Sequence, residues 1–215
     1  MRKTIVIVAI FLMVPMMGIS QADQGAGAGS VAVELSMTPF TESEAWLSPG
    51  FLKVRYFLND LGIRLSTGTD MIFSNDQGVQ PETVKNLSFF DIRPGVEYYP
   101  VRAGQALPFV GIDFVMQFQR SNFDTSVGAP VTGAWDIDPH MLERRSFNAF
   151  GFNIFAGGDY YLGGGGFFIG TEIGFEFLHK TNQEVKLGDD VRFPQTTKAI
   201  FHPTLRSSLR VGVAF

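Results

Sequence analysis

From about Ser30 to its last residue, the chain places apolar side chains at every second position in one segment after another. This period of two separates apolar from polar side chains on the two faces of a β-strand, and hardly any stretch has the three-and-four spacing of an amphipathic helix. The sequence therefore predicts an all-β fold. Turn-forming residues divide the alternating region into eight candidate strands, approximately 30–40, 50–58, 61–71, 88–99, 108–120, 147–162, 167–179 and 199–215.

The connections between these strands alternate between short and long. The short ones are Asn59-Asp60, 100–107 and 163–166, and the long ones are 72–87, 121–146 and 180–198. In an up-and-down sheet, such alternation places the short turns at one end and the long loops at the other, as in bacterial outer-membrane barrels. The spacing therefore predicts an eight-stranded antiparallel up-and-down transmembrane β-barrel with long extracellular loops.

The composition of the two strand faces distinguishes a membrane barrel from a soluble lipocalin-like barrel, whose apolar face points inward. Within 167–179, one face is almost entirely apolar, whereas the other carries Phe168, Gly170, Glu172, Gly174, Glu176 and Leu178. Glycine weakens a strand and gains nothing on a face open to water, so its repeated placement beside charges indicates an enclosed axis. The apolar face, rich in the 22 Phe of the chain, then suits contact with lipid.

The first residues have the pattern of a secretory signal. Arg2 and Lys3 precede an apolar run over 5–17, which is too short to cross a bilayer comfortably, and small residues follow it at Ser20 and Ala22. The predicted organisation is a signal peptide over 1–22, a flexible lead-in over 23–29 and an outer-membrane β-barrel domain over 30–215.

Charge and cysteine content exclude several classes of function. The formal net charge is −4, so the chain has no electrostatic reason to bind nucleic acid. There is no cysteine, which excludes disulfides and a lipid-modified cysteine as means of stabilising or anchoring the exported chain. The fold must hold through packing and polar contacts alone.

Three segments resemble a known family of proteins. The stretch LKVRYFLNDLGIRL at 52–65 and the stretch RPGVEYY at 93–99 are similar to strands of the outer-membrane β-barrel domain family, related to the small OmpA- and OmpX-like eight-stranded barrels. The last strand, ending at Phe215, resembles the C-terminal assembly signal read by the barrel-insertion machinery. The resemblance implies a bacterial cell outer membrane location, with lipid and lipopolysaccharide as partners, and little about activity.

The inward face is rich in charges of both signs. An eight-stranded barrel is only wide enough inside for its own side chains, so these charges must pair. We expect Glu172 to face Arg210 and Glu176 to face Arg206, and we expect Arg55 opposite Arg64 with acids beside them. The predicted lumen ionic network consists of Glu34, Arg55, Arg64, Arg93, Glu97, Glu172, Glu176, Arg206 and Arg210, and the same face carries Lys53, Asp91, Asp113 and Asp159.

Two functions remain open from the sequence. A closed, charge-filled lumen favours a structural or surface-interaction role, with loops 121–146 and 180–198 presented to an extracellular ligand. The alternative is a narrow channel or transporter for small or apolar solutes. We expect no catalytic residues, no cofactor and no enzymatic activity.

Two loop features could bind ligands but are more typical of solvated loops. The segment 136–140, DIDPH, has two carboxylates and an imidazole that could hold a divalent cation, although we predict no metal site there. Arg144 and Arg145 could contact the phosphates of lipopolysaccharide.

Overall fold

The computed structural model describes residues 27–37, 49–76, 82–101, 104–126, 128–135, 144–163, 166–202 and 208–215. These residues form an all-β, antiparallel fold with twelve strands in one sheet. The strands are β1 (Val31–Met37), β2 (Pro49–Leu58), β3 (Leu61–Asp76), β4 (Thr83–Tyr98), β5 (Ala106–Thr125), β6 (Val131–Thr132), β7 (Phe147–Tyr161), β8 (Phe167–Asn182), β9 (Val185–Leu187), β10 (Asp190–Phe193), β11 (Thr196–His202) and β12 (Ser208–Ala214). Within the described ranges, no helix is long and apolar enough to cross a membrane.

Eight of these strands hydrogen-bond in a closed ring. The order around the ring is β1, β2, β3, β4, β5, β7, β8 and β12, and β12 pairs with β1 to complete it. The closing register sets Glu34 opposite Gly212. The backbone of Phe215 exchanges two hydrogen bonds of 2.9 Å with Val31 beside this junction. The ring gives every strand an inward and an outward face.

The candidate strands correspond to the observed ones with changes at the loop end. The first seven match β1, β2, β3, β4, β5, β7 and β8, and β3 and β4 extend far into the predicted loop 72–87. The candidate strand 199–215 is described as β11 and β12, both paired with β8, while 203–207 lie outside the described residues. The predicted loops 121–146 and 180–198 contain β6, β9 and β10.

The alternation of side chains produces two very different faces. In β8, buried and exposed residues alternate from Phe167 to His179, with Glu172 and Glu176 buried and Phe175 49% exposed. The outward face of the ring is rich in exposed large apolar side chains, such as Ile63 at 52% exposure and Phe114 at 50%. The polar face is therefore the inner one, as the sequence predicts.

An aromatic layer fills the inside of the ring at the end with the short turns. Its members are buried side chains from β2, β5, β7 and β8 and from the residue after β4: Phe57, Tyr99, Phe109, Phe155, Tyr161 and Phe168. The rings of Phe109 and Phe155 meet edge to face, with centroids 6.1 Å apart, and Phe109 meets Tyr99 in the same way at 6.0 Å. Such tilted contacts are the favoured geometry for aromatic pairs.

A second, smaller core lies at the end with the long loops. Strands β6, β9 and β10, which we call the loop subsheet, continue the sheet from the end of β5. Val131, Ala134 and Val185 are buried there, against the partly buried Phe123 and Phe193 among others. The loop subsheet is thus packed structure within segments that the sequence assigns to loops.

Candidate functional site

The inside of the ring holds a buried ionic cluster directly above the aromatic layer. All eight strands of the ring contribute to it, because the inward positions of the strands converge on the axis. All of its members are at most 9% exposed. We define the ionic cluster as Glu34, Lys53, Arg55, Arg64, Glu97, Asp113, Asp159, Glu172 and Arg210.

Arg64 on β3 joins three carboxylates of the ionic cluster. Its Nε donates a 2.6 Å hydrogen bond to Asp113, and its Nη2 donates a second, shorter one to the same carboxylate. Its Nη1 lies 2.7 Å from Glu97 Oε1 and 2.8 Å from Glu172 Oε2. This planar guanidinium therefore bridges carboxylates from three other strands, a geometry that lysine cannot supply.

Arg55 and Arg64 stand directly opposite each other in the β2–β3 ladder, as the sequence predicts. Like charges at opposed positions destabilise a sheet unless acids lie beside them. Arg55 Nη2 lies 2.7 Å from Glu34 Oε2, and Arg55 Nη1 lies 2.7 Å from Asp159 Oδ2 and 3.5 Å from Glu97 Oε2. The carboxylates thus separate and neutralise the two guanidinium groups.

Arg210 on β12 contacts four acids, and the longest of these contacts places its Nη1 4.0 Å from Glu97 Oε1. Its Nη1 lies 3.2 Å from Glu172 Oε2 and 3.4 Å from Glu34 Oε1, and its Nη2 pairs with Asp159 at a shorter distance. The ladder sets Arg210 opposite Gly170, so the contact with Glu172 is diagonal and not level as the sequence suggests. The side chains of Arg210 and Glu172 are long enough to meet although their backbone positions are two residues out of register.

The arginines of the cluster rest on the aromatic layer. The guanidinium carbon of Arg64 is 3.4 Å from the ring centroid of Phe155, and that of Arg210 is 4.4 Å from the centroid of Phe109. Arg55 lies 4.9 Å from the centroid of Phe168. Cation–π contacts of this kind are stronger away from water. Aromatic faces therefore supplement the carboxylates.

The sequence analysis places Phe168 on the charged face, but its assignment of the other aromatic residues to the outward face missed the rest of this layer. Phe57 and Tyr99 each lie two positions after an inward charge, at Arg55 and Glu97, and Phe155 lies two positions after Asn153. The positions of these residues in the alternation therefore predict that their side chains point inward, whereas their aromatic character favours the outward, lipid-facing side. In a period-two strand, phase decides the face.

Inward glycines make room for the aromatic rings. A Cβ added to Gly111 would overlap the ring of Phe155 and the carbonyl oxygen of Val96, and one added to Gly157 would overlap Phe109. A glycine in a strand often marks such a close approach. The sequence predicts that glycines create space for charged side chains, which holds at Gly95 beside Asp113, and the structure adds space for aromatic rings.

A second polar group lies inside the ring nearer the long loops. Arg93 pairs with Asp91 through two hydrogen bonds of 2.8 and 2.7 Å, and its Nη1 lies 2.7 Å from Glu176 Oε2. Gln117 donates a 2.9 Å hydrogen bond to Asp91. The predicted contact between Glu176 and Arg206 cannot be placed, because Arg206 lies outside the described residues.

The chemistry of this interior is that of paired charges. Each carboxylate of the ionic cluster lies within 4 Å of at least one cationic side chain, so each buried acid has a partner of opposite charge. The Tyr99 hydroxyl donates a short hydrogen bond to Glu97 and accepts a 3.2 Å hydrogen bond from Arg55. Removing one member would therefore leave several buried partners uncompensated.

The two candidate ligand features of the loops have different outcomes. The segment 136–140 lies outside the described residues, and the described ones contain no group of three or more His, Cys, Asp or Glu side chains able to hold a metal ion. Arg144 is exposed, with its guanidinium carbon 5.5 Å from the ring centroid of Trp135.

Arg145, in contrast, is turned inward and held by the backbone. Its side chain donates hydrogen bonds to the carbonyl oxygens of Gln183, Phe193 and Pro194, with the Phe193 bond at 3.3 Å. Burial lowers the pKa of this guanidinium. These donors join segments beside the loop subsheet. The contact with lipopolysaccharide phosphates that the sequence allows for Arg144 and Arg145 stays a hypothesis.

Comparisons with known proteins give little beyond this geometry. No protein-family profile matches the chain, and no curated protein matches it. Among solved structures, the chain is similar to the crystal structure of Acinetobacter baumannii CarO, with 10% sequence identity and a TM-score of 0.34 over 88% of this chain and 97% of that one. A similarity of that size does not determine fold or function.

Proposed function

We propose that this protein is an integral β-barrel of the bacterial outer membrane, with a closed interior and a structural or surface-interaction role. Two features support the membrane location. The strand ring closes, which leaves no open edge where β12 meets β1, and its outward face carries exposed large apolar side chains. Both features suit a bilayer. A closed ring pairs its backbone hydrogen-bonding groups without help from water, and an apolar outward face can contact lipid chains.

The observation that carries the closed interior is the stacking of the ionic cluster on the aromatic layer. Arg55, Arg64 and Arg210 are 0–2% exposed, and so are Phe57, Phe109 and Phe168 in the layer below. An eight-stranded barrel leaves just enough room for such side chains. The proposed role therefore includes neither solute passage nor a catalytic step, and the protein acts by stabilising the membrane or by presenting its loop end to other molecules.

Reconstitution tests the closed interior directly. The purified full-length chain, reconstituted in liposomes, is expected to allow no swelling in small sugars and no conductance steps in planar bilayers. An open trimeric porin in the same lipid serves as the positive control. Stepwise conductance of the unmodified protein would overturn the closed interior and favour the alternative, a narrow channel.

A matched variant shows that the assay detects an opened interior. The double substitution of Phe109→Ala and Phe155→Ala removes two rings of the aromatic layer, and Phe114→Ala with Phe152→Ala removes two rings from the outward face of the same strands. We expect ion conductance from the first pair only, provided that each variant keeps the heat-modifiable migration of a folded barrel.

A further inference from the structure

An aromatic groove of about 360 Å³ lies on the outward face of β7, β8 and β11. Its volume is at the lower end of the range for small-molecule sites, about 300–1,000 Å³. The rings of Phe152 and Phe177 are stacked with centroids 4.8 Å apart, and Phe177 and Phe201 are 4.4 Å apart. The lining of the groove includes Phe150, Phe152, Phe177, His179, Ala199 and Phe201.

One side of the groove is bounded by a small residue, Ala199, where a larger side chain would occupy the groove. Ala199 on β11 lies opposite His179 on β8, which in turn lies opposite Phe150 on β7. One outward rung away, towards the short turns, Phe201, Phe177 and Phe152 form a continuous aromatic row. A larger side chain at Ala199 would fill the groove from its side.

The groove changes from apolar to polar along its length. On the rung nearer the long loops, the outward residues are Asn148, Thr181 and Thr197, about 7 Å from the rung of His179. The exposed Arg120 on β5 donates a 2.9 Å hydrogen bond to the side-chain oxygen of Asn148, which brings a cation to this rim. An apolar groove beneath a cationic, hydrogen-bonding rim matches a molecule with a long apolar chain and an anionic head.

We propose that this groove binds one acyl chain of a phosphate-bearing membrane lipid, with the phosphate at the Arg120–Asn148 rim. The inference rests on the proposed function, because it requires the outward face to lie in a bilayer. The groove supplies a concave apolar surface of a size that suits one chain. The rim supplies charge complementarity, which a neutral hydrocarbon or an apolar face of a second copy would not use.

Native mass spectrometry of the full-length protein released from detergent micelles tests this binding. The probes are dimyristoylphosphatidylglycerol, dimyristoylglycerol with the same chains and no phosphate, and inorganic phosphate. We expect one phosphatidylglycerol to be retained, and Ala199→Trp to weaken its retention about tenfold. Ala156→Trp is the matched control, because Ala156 is also exposed on the outward face of β7 but does not line the groove; its retention should stay within about twofold.

A second variant distinguishes binding of the lipid's phosphate head from binding of its acyl chain. Arg120→Gln is expected to lower retention of the phosphatidylglycerol several-fold and to leave that of dimyristoylglycerol unchanged. Equal losses in Ala199→Trp and Ala156→Trp would overturn the groove as the site. Binding of inorganic phosphate alone at the rim, or a protein dimer that Ala199→Trp abolishes, would also overturn the inference, in favour of a free anion or a second copy.

The same preparation distinguishes failure of this inference from failure of the proposed function. A protein that stays folded and monomeric after detergent removal is not a membrane barrel, and then the groove has no lipid to bind. A protein that requires detergent but retains no lipid selectively keeps the proposed function and loses the groove.

Discussion

Arg64 in the ionic cluster and Arg145 beside the loop subsheet are both buried, at 2% and 6% exposure, but they are satisfied by different partners. Arg64 meets the carboxylates of Asp113, Glu97 and Glu172, which come from three other strands. Arg145 donates to backbone carbonyl oxygens, including that of Pro194. The difference follows from geometry: strands of a ring aim side chains at a common axis, whereas short strands at its end offer mainly backbone.

The largest effect that this comparison predicts is at Arg64. Arg64→Ala leaves Asp113, Glu97 and Glu172 with one guanidinium fewer in a buried space, which we expect to destabilise the fold by about 3–5 kcal/mol. Urea unfolding in lipid vesicles, followed by tryptophan fluorescence, measures the change. Arg192→Ala, which removes an exposed cation on β10, is the control. A loss below about 1 kcal/mol for Arg64→Ala would mean that water reaches the cluster.

Arg145→Ala should have a smaller and more local effect. The lost charge-assisted hydrogen bonds are worth about 1.5–3 kcal/mol, and they hold the loop end together while the ring keeps its own contacts. We expect limited proteolysis to cut the segments around β9 and β10 faster, with little change in the unfolding of the ring. Arg144→Ala is the matched control, because Arg144 is exposed and does not make the backbone bonds that Arg145 makes to Gln183, Phe193 and Pro194. Equal cleavage of the two variants would contradict the bracing role of Arg145.

Gly111→Ala tests the aromatic layer beneath the cluster. The new methyl group would overlap the Phe155 ring, and overpacking of this kind costs about 1–3 kcal/mol. Gly158→Ala is the control on β7, because its Cβ would meet nothing nearer than 3.9 Å. Urea unfolding midpoints of the two variants give the difference, and a stable Gly111→Ala variant would show that the layer can shift.

The smallest effect is expected at Lys186 on β9. Its ammonium lies 2.6 Å from Glu184, and this hydrogen bond raises the pKa of Lys186. A raised pKa means that the contribution to stability is present at neutral pH and is lost only as the pH rises through that pKa. Both side chains are exposed, so we expect the unfolding midpoint of Lys186→Ala to match that of the unmodified protein between pH 5 and pH 9, within about the error of the method.

The sequence predicts the ring better than the loop end for a physical reason. Long strands repeat the period of two often enough to reveal their face, which is how Glu34, Arg55, Arg93 and the other described members of the predicted network could be placed inward. β6 has 2 residues and β9 has 3, so neither displays a period. Such short strands form because a neighbouring strand offers an edge to pair with, β5 for β6 and β6 for β9, and a single segment of sequence does not record that partner.

The contacts within the cluster were less predictable than its membership. The opposition of Arg55 and Arg64 follows from symmetry about the Asn59-Asp60 turn, where Asn59 has a φ of 43° that asparagine tolerates. The diagonal contact between Glu172 and Arg210 depends on the register across β8 and β12, which are joined by a long connection. Register is fixed by packing and ladder bonds, not by distance along the chain.

Closure of the ring has a consequence for the order of folding events. Glu34 on β1 and Arg210 on β12 are 176 positions apart, and their 3.4 Å contact exists only when the first and last strands meet. Contacts between such remote positions form slowly, because the intervening chain must be organised first. Folding that proceeds strand by strand from β1 therefore cannot complete this interior, because the carboxylate of Glu34 meets the guanidinium of Arg210 only once β12 has formed and paired with β1.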